Sequence, residues 1–158
     1  MADYSKEQIE EAWLKATPFL VNGEPSKEWR KDPCGAWIYY DHYGNKDSAF
    51  GWTIDHTIPK SLYKDNGYDS TPLNRRAMHW KNNESKSNDF PQYKCVVTSD
   101  GNKNISKEMV KYIKADTITE LMKEVQGLDI LINNQKDKWI EIYGSEQVEK
   151  WLSNPQRR

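Results

Sequence analysis

The chain has 158 residues, of which 36% are hydrophobic, and 23 Lys and Arg against 24 Asp and Glu leave a formal net charge of −1. This length is that of one compact domain, and the balanced charge excludes a uniformly basic nucleic-acid binder. Seven Trp and nine Tyr supply enough large apolar surface to favour a folded domain over disorder, in spite of the polar composition.

Export and membrane insertion are not expected from the sequence. The apolar runs are only a few residues long, which excludes a transmembrane helix. The first residues, MADYSKEQIEE, lack the basic stretch and apolar core of a signal peptide. We therefore expect Cys34 and Cys95 to be reduced thiols in the cytoplasm, although sequence alone leaves open whether they lie close in the fold.

Residues 1–30 are predicted to form an N-terminal helix and a linker. Ser5 and Gln8 have the spacing of a capping box, and apolar side chains then recur every three to four residues as far as Ala16, which places them on one helical face. The run Asn22-Gly23-Glu24-Pro25 has turn composition and is interpreted as the linker.

Residues 31–106 are predicted to form the central region. Residues 36–40 and 50–54 are rich in aromatic and β-branched side chains, so we expect two strands that pair as a hairpin around the turn-forming residues 43–47. A polar loop follows over residues 57–72. A loop of this length inside a compact domain is uncommon and is usually functional.

Regular structure is expected to resume after this loop, over residues 75–80, and a short helix is predicted over residues 81–88. Residues 107–158 are predicted to be a helical C-terminal extension. Its helices are expected around Val110 and Ile113, from Ile118 to a stop at Gly127, and from an N-cap at Ser145. The pattern of residues 128–143 is compatible with either a helix or a strand.

Residues that could take part in catalysis or binding cluster after the second predicted strand. Residues 56–86 contain six basic and three acidic side chains, a modest local excess that a solvated surface would also explain. Two of the three histidines, His56 and His79, lie in the same window. The other Asp-His neighbour pair, Asp41-His42, lies beside a turn and is interpreted as structural.

Asp55 and His56 end the predicted strand and could serve different roles. A carboxylate and an Asn amide oxygen are hard ligands suited to Mg²⁺, which keeps its other positions for water and phosphate. A histidine with its ordinary pKa near ~6.5 can accept a proton from water at neutral pH. Neighbouring strand residues point to opposite faces, so one of the two could face a metal ion and the other the attacking water, provided that the end of the strand bends.

The pattern W-x-I-D-H-x-x-P-x-S, followed by Asn74 and then by H-W-x-N-N-x-x-K, resembles the HNH endonucleases of phages and bacteria. It is also similar to the HNH domain of CRISPR RNA-guided nucleases. The resemblance covers about residues 34–91 and is most specific over 52–91. It implies an α+β protein in which a ββα-metal core carries an extra β-hairpin and flanking N- and C-terminal helices, together forming one compact unit.

The resemblance also assigns roles to individual residues. Asp55 would be a metal ligand, His56 the general base, and Asn74 the residue that holds the loop and orients that base. Asn83 would be the second metal ligand, and Lys86 matches the basic position that follows it. The implied activity is metal-dependent hydrolysis of double-stranded DNA, leaving a 5′ phosphate and a 3′ hydroxyl, in a bacterial or phage-infected cell.

Two departures from the family shape these expectations. Many HNH proteins hold a structural zinc ion with two CxxC pairs, which this chain lacks, so its core is expected to depend on packing. An Asp/Asn ligand pair should favour Mg²⁺, with Mn²⁺ able to substitute, over Zn²⁺.

Substrate contacts are expected from the basic side chains beside the phosphate site. The candidates are Arg75, Lys81 and Lys86. His79 lies four residues before Asn83 and would share its face on one helix. Three roles for His79 stay open: contact with phosphate, support of the site, and packing. One active site cuts one strand, so double-strand cleavage would need a homodimer or two successive events.

Two other functions remain open from the sequence. One is a toxin-like HNH nuclease that acts on RNA or host DNA. The other is a non-catalytic DNA-binding module that has kept the fold. The intact set of Asp, His and Asn argues against this second alternative.

Overall fold

The computed structural model describes residues 4–62 and 71–153 and has an α+β fold, as predicted. The helices and strands follow in this order: α1 (Lys6–Leu14), β1 (Thr17–Val21), β2 (Glu24–Lys31), β3 (Trp37–Tyr39), β4 (Trp52–His56), β5 (Arg75–His79), α2 (Trp80–Lys86), β6 (Gln92–Asp100), β7 (Lys103–Tyr112), α3 (Ala115–Glu124), α4 (Leu128–Asn134), α5 (Lys136–Tyr143) and α6 (Ser145–Ser153). Short 3₁₀ helices lie at Tyr40–His42, Lys60–Leu62 and Pro72–Asn74.

The described strands form small antiparallel sheets, with the orders β1-β2-β3, β4-β5 and β6-β7. In the β4-β5 pair, Trp52 is opposite His79 and His56 is opposite Arg75. Helix α2 begins at the residue after β5 ends. Two antiparallel strands and a helix therefore follow one another here, and the end of β4 comes close to the beginning of β5.

The N-terminal capping box is confirmed. The Ser5 hydroxyl accepts the Gln8 N–H at 3.1 Å, and the Gln8 side chain accepts the Ser5 N–H at 2.9 Å. The linker predicted after the helix is wrong, because β1 and β2 form a hairpin there. Asn22 and Gly23 both have positive φ, 53° and 81°, which is the turn conformation that an Asn-Gly pair favours between antiparallel strands.

The predicted hairpin between residues 36–40 and 50–54 is also wrong. β3 pairs with β2, whereas β4 pairs with β5 across the long loop. Isolated contacts join the two predicted strands, such as the hydrogen bonds from the Tyr39 N–H to the Phe50 carbonyl and from the Trp52 indole to the Tyr39 carbonyl, each at 3.0 Å. The β1-β2 turn returns β2 alongside β3, so β3 already has a partner on that edge.

The short helix predicted around Val110 and Ile113 is a strand, β7, which pairs with β6 along most of its length. The predicted boundary at residue 106 therefore cuts through a hairpin. The ambiguous segment 128–143 is helical, as α4 and α5. Side chains of α3 to α6 share one buried cluster with Ile58, Met78 and Tyr93 of the central region, so the C-terminal helices pack onto this region.

Cys34 and Cys95 form a disulfide, with their Cα atoms 5.9 Å apart, so the expectation of reduced thiols is corrected. Cys34 lies in a turn in which the Asp32 carboxylate accepts the N–H groups of Cys34 and Ala36, each at 2.9 Å. This turn holds Cys34 against β6, where Cys95 is fully buried. Among the described helices, none is both long and apolar enough to cross a membrane.

Candidate functional site

Asp55 and His56 make contacts on different sides at the end of β4. Asp55 is 3% exposed, and its Oδ2 lies 2.9 Å from Nε of Arg76, the residue opposite it on β5. Its Oδ1 lies 3.3 Å from Nζ of Lys86 on α2. His56 is half-buried, and its Nε2 lies 3.4 Å from the hydroxyl of Tyr4, which precedes α1.

Asn74 holds the backbone that follows His56. Its side chain is fully buried, and it accepts the Ile58 N–H at 2.7 Å and donates to the Ile58 carbonyl at 3.1 Å. The Asn74 carbonyl also accepts the Thr57 N–H at 2.9 Å. The first two residues of the loop are thus attached to the residue just before β5.

Asn83 is placed by α2 against the middle of β4. Its Nδ2 donates to the Thr53 hydroxyl at 2.8 Å and to the Ile54 carbonyl at 3.2 Å. These two bonds orient the amide, and within the described part of the chain its Oδ1 accepts no hydrogen bond. Asn83 and Tyr4 line the same cleft, of about 360 Å³, so this cleft reaches the side chain that contacts His56.

Lys86 is buried inside the site and does not face solvent. Its side chain is 0% exposed, and Nζ donates to the His56 carbonyl at 3.0 Å besides its ion pair with Asp55. Burial lowers the pKa of Lys86, and Asp55 opposes this shift. These contacts do not support the predicted contact with a substrate phosphate, because the ammonium group is enclosed by the protein.

His79 caps α2. Its Nδ1 accepts the Lys81 N–H at 3.1 Å, and its Nε2 donates to the Ala49 carbonyl at 2.9 Å. The residue is 2% exposed, and burial lowers the pKa of its imidazole. Of the alternatives considered for His79, these contacts favour support and packing, and they do not support a contact with phosphate.

The two remaining substrate candidates differ in accessibility. Arg75 is buried, with its guanidinium 3.8 Å from the Glu11 carboxylate of α1, which does not support a surface contact with DNA. Lys81 is exposed, and its Nζ lies 5.4 Å from the centre of the Trp80 ring. Lys81 therefore remains available to a phosphate beside α2.

Sequence reasoning did not identify Tyr4 and Asp32, and it did not identify Arg76 as the partner of Asp55. Tyr4 precedes the first helix, and no local pattern connects it with His56. Arg76 could have been found from the register of β4 and β5, since opposite charges often face each other across a strand pair. Asp32 is 2% exposed, and it joins the central turn to α2 by accepting the His79 N–H and the Asn82 amide, each at 3.0 Å.

The donor types of Asp55 and Asn83 fit a hard divalent cation. In the described conformation both oxygens of Asp55 already have cationic partners, so such an ion would have to displace the Lys86 ammonium from Oδ1. Within residues 4–62 and 71–153, no three His, Cys, Asp or Glu side chains are grouped to hold a metal ion, and a site of one carboxylate and one amide would not form such a group.

In comparisons with known proteins, no family model, curated protein or solved structure matches the chain.

Proposed function

We propose that this protein is a metal-dependent HNH-type endonuclease that hydrolyses phosphodiester bonds in DNA. The observation that carries the proposal is the β4-β5 hairpin followed directly by α2. This unit presents His56 at the end of β4, Asn74 at the return of the loop, and Asn83 on the helix. The motif resemblance assigns the same three positions to the family's base, loop residue and helix ligand.

His56 would accept the proton of the attacking water. Its backbone is held from two directions, by the hydrogen bond from Lys86 to its carbonyl and by the Asn74 contacts to the residues that follow. The Tyr4 hydroxyl lies 3.4 Å from Nε2 of its ring. A base held in this way needs little rearrangement before it meets a water molecule, which favours catalysis.

Asp55 and Asn83 are the residues that would hold a divalent cation. When bound, a divalent cation would stabilise negative charge on the phosphate and on the leaving 3′ oxygen. Asn83 is prepared for this role because its amide is oriented by Thr53 and Ile54, and no donor among residues 4–62 and 71–153 bonds to its Oδ1.

The second candidate function is a non-catalytic DNA-binding module. The observation that favours it is the pairing of Asp55 with both Arg76 and Lys86. This arrangement already compensates the carboxylate charge without a metal ion. A module of this kind would bind DNA in the presence of EDTA and would not cut it.

A supercoiled plasmid assay separates these functions. Wild-type protein would be compared with His56→Ala in Mg²⁺, Mn²⁺ and EDTA, and with His42→Ala as a matched control. His42 is a suitable control because it bonds Ser48 at 2.6 Å in the turn after β3. We expect wild type and His42→Ala to nick or linearise the plasmid only with metal, and His56→Ala to lose several orders of magnitude in rate.

Three other outcomes would change the conclusion. Cleavage that persists in His56→Ala would refute the assignment of the base. Binding without cleavage under every condition would support the DNA-binding module. Cleavage of a single-stranded RNA control without cleavage of DNA would favour the RNA-directed, toxin-like alternative.

A further inference from the structure

A second cleft, of about 470 Å³, lies beside the candidate site. It is bordered by the end of α1, the first half of β5, the end of β7 and the beginning of α3. Arg76, which binds Asp55, and Thr57, which follows His56, both line it. The cleft therefore adjoins the candidate site through these two residues.

The cleft is lined by basic side chains: Lys15, Arg76, Lys111 and Lys114. Within the described residues, no carboxylate forms an ion pair with Lys15, Lys111 or Lys114. The acidic residue among the described lining, Asp32, is buried. Both of its oxygens already accept two hydrogen bonds each. The cleft consequently has a surplus of positive charge, although the chain as a whole has a net charge of −1.

Arg76 pairs with Asp55 through Nε, and the Lys15 ammonium donates to the Arg75 carbonyl at 2.6 Å, but an added anion would stabilise these basic groups further. Nη2 of Arg76 is buried, and no residue in the described ranges gives it a hydrogen-bond partner. Desolvation lowers the pKa of Lys15 to about 8, an effect that Arg75 increases and Glu11 opposes. Lys114 is the N-cap of α3 and lines the cleft, so the positive end of this helix dipole lies at the rim of the cleft. Among the described residues, no side chain caps the first turn of this helix.

We infer that this cleft, through Lys15, Arg76, Lys111 and Lys114, binds the phosphate backbone of DNA next to the scissile bond. The inference rests on the proposed function for the identity of the anion. It extends the DNA contact beyond the hairpin and α2 to the N-terminal helix and the C-terminal extension. Strand β7 and the start of α3 thereby acquire a role in holding substrate.

Binding measurements in EDTA test this inference without relying on cleavage. Fluorescence anisotropy with a labelled 20-base-pair duplex would be recorded from 0.05 to 0.3 M salt for wild type and for Lys111→Ala/Lys114→Ala. The matched control is Lys103→Ala/Lys123→Ala, which removes two exposed lysines from β7 and α3 outside the cleft. Circular dichroism would verify that each variant is folded.

We expect the cleft variant to lose about two units of the slope of log K against log salt, since each phosphate contact contributes about 0.9. At 0.1 M salt this corresponds to a loss of affinity on the order of 60-fold. The control should change affinity by less than about threefold, because distant exposed charges are screened.

Equal losses in the two variants would overturn the inference, because they would show a non-local effect of net charge. An unchanged slope in the cleft variant, or no measurable DNA binding by wild type, would overturn it as well. The proposed function fails on a different result, which is the absence of metal-dependent cleavage in the plasmid assay.

Discussion

Replacing Asp55 with Asn tests whether the ion pairs around this carboxylate support the fold in the absence of metal. The substitution keeps the shape of the side chain but removes the carboxylate that pairs with the buried Lys86 ammonium and the adjacent Arg76 guanidinium. Breaking a buried ion pair by removing one partner typically costs about 3–5 kcal/mol. We therefore expect Asp55→Asn to lower the free energy of unfolding by about that amount in EDTA.

The magnitude is large relative to total stability. Domains of this kind unfold with about 5–15 kcal/mol, and for a chain of this length each kcal/mol shifts Tm by about 2–4 °C. The expected decrease in Tm is on the order of 10 °C. Lost cleavage in Asp55→Asn would therefore not by itself identify Asp55 as a metal ligand.

A double-mutant cycle with Lys86→Met separates the ion pair from other effects. If Asp55 and Lys86 stabilise each other, the double variant should lose less stability than the sum of the single variants, by at least about 1 kcal/mol. The assay is urea denaturation in EDTA, followed by Trp fluorescence. Asp47→Asn is the matched control, since Asp47 is exposed and should change stability by no more than about 0.5 kcal/mol.

A loss of less than about 1 kcal/mol in Asp55→Asn would refute this reasoning and would mean that the carboxylate is free for another partner. Repeating the denaturation with Mg²⁺ adds a second test. A ligand that binds the native state raises its stability. If Asp55 also binds the ion, Mg²⁺ should stabilise wild type and not Asp55→Asn.

Three further predictions follow from the described contacts. Cys34→Ala/Cys95→Ala should lower the free energy of unfolding, measured by urea denaturation, by about 4 kcal/mol. The reason is that the disulfide spans 61 residues and closes a long loop in the unfolded chain. A loss below about 1 kcal/mol would contradict this prediction. Asn74→Ala should cost about 2–4 kcal/mol, since it leaves a buried N–H and a buried carbonyl unpaired, and amide exchange in the loop after β4 should accelerate. A phosphate beside Lys15 favours the ammonium form and raises its pKa from about 8. DNA binding at pH 8 should therefore take up protons, and the affinity should weaken as the pH rises. Calorimetry in two buffers of different ionisation enthalpy measures the proton uptake, and an uptake of zero would contradict this prediction.

Local sequence patterns were sufficient for several elements around the site. The aromatic and β-branched composition of residues 50–54 predicted a strand that overlaps β4, and the capping-box spacing of Ser5 and Gln8 predicted the start of α1. Periodic apolar residues predicted α3 and α6. Such patterns are informative because the repeat of a helix or strand is set by the backbone geometry of the segment itself.

The same patterns could not identify strand partners. Residues 50–54 were paired with the preceding strand, although β4 bonds to β5 across the loop, and the alternation of β7 was too weak to exclude a helix. Burial in β7 alternates poorly because most of its side chains are exposed. A strand's composition shows that it needs a partner, and the packing of the whole chain determines which partner is close.

The sequence by itself determined the order of chemical groups along the chain, with Asp55 and His56 at a strand end, Asn74 after a loop and Asn83 on a helix. Only the tertiary structure decided their surroundings: Asp55 between Arg76 and Lys86, Tyr4 beside His56, and a disulfide where free thiols were expected. These contacts join residues that are from 21 (Asp55 and Arg76) to 61 (Cys34 and Cys95) positions apart. The free energy of such contacts depends on burial and on the distance between charges, and neither can be obtained from residue spacing.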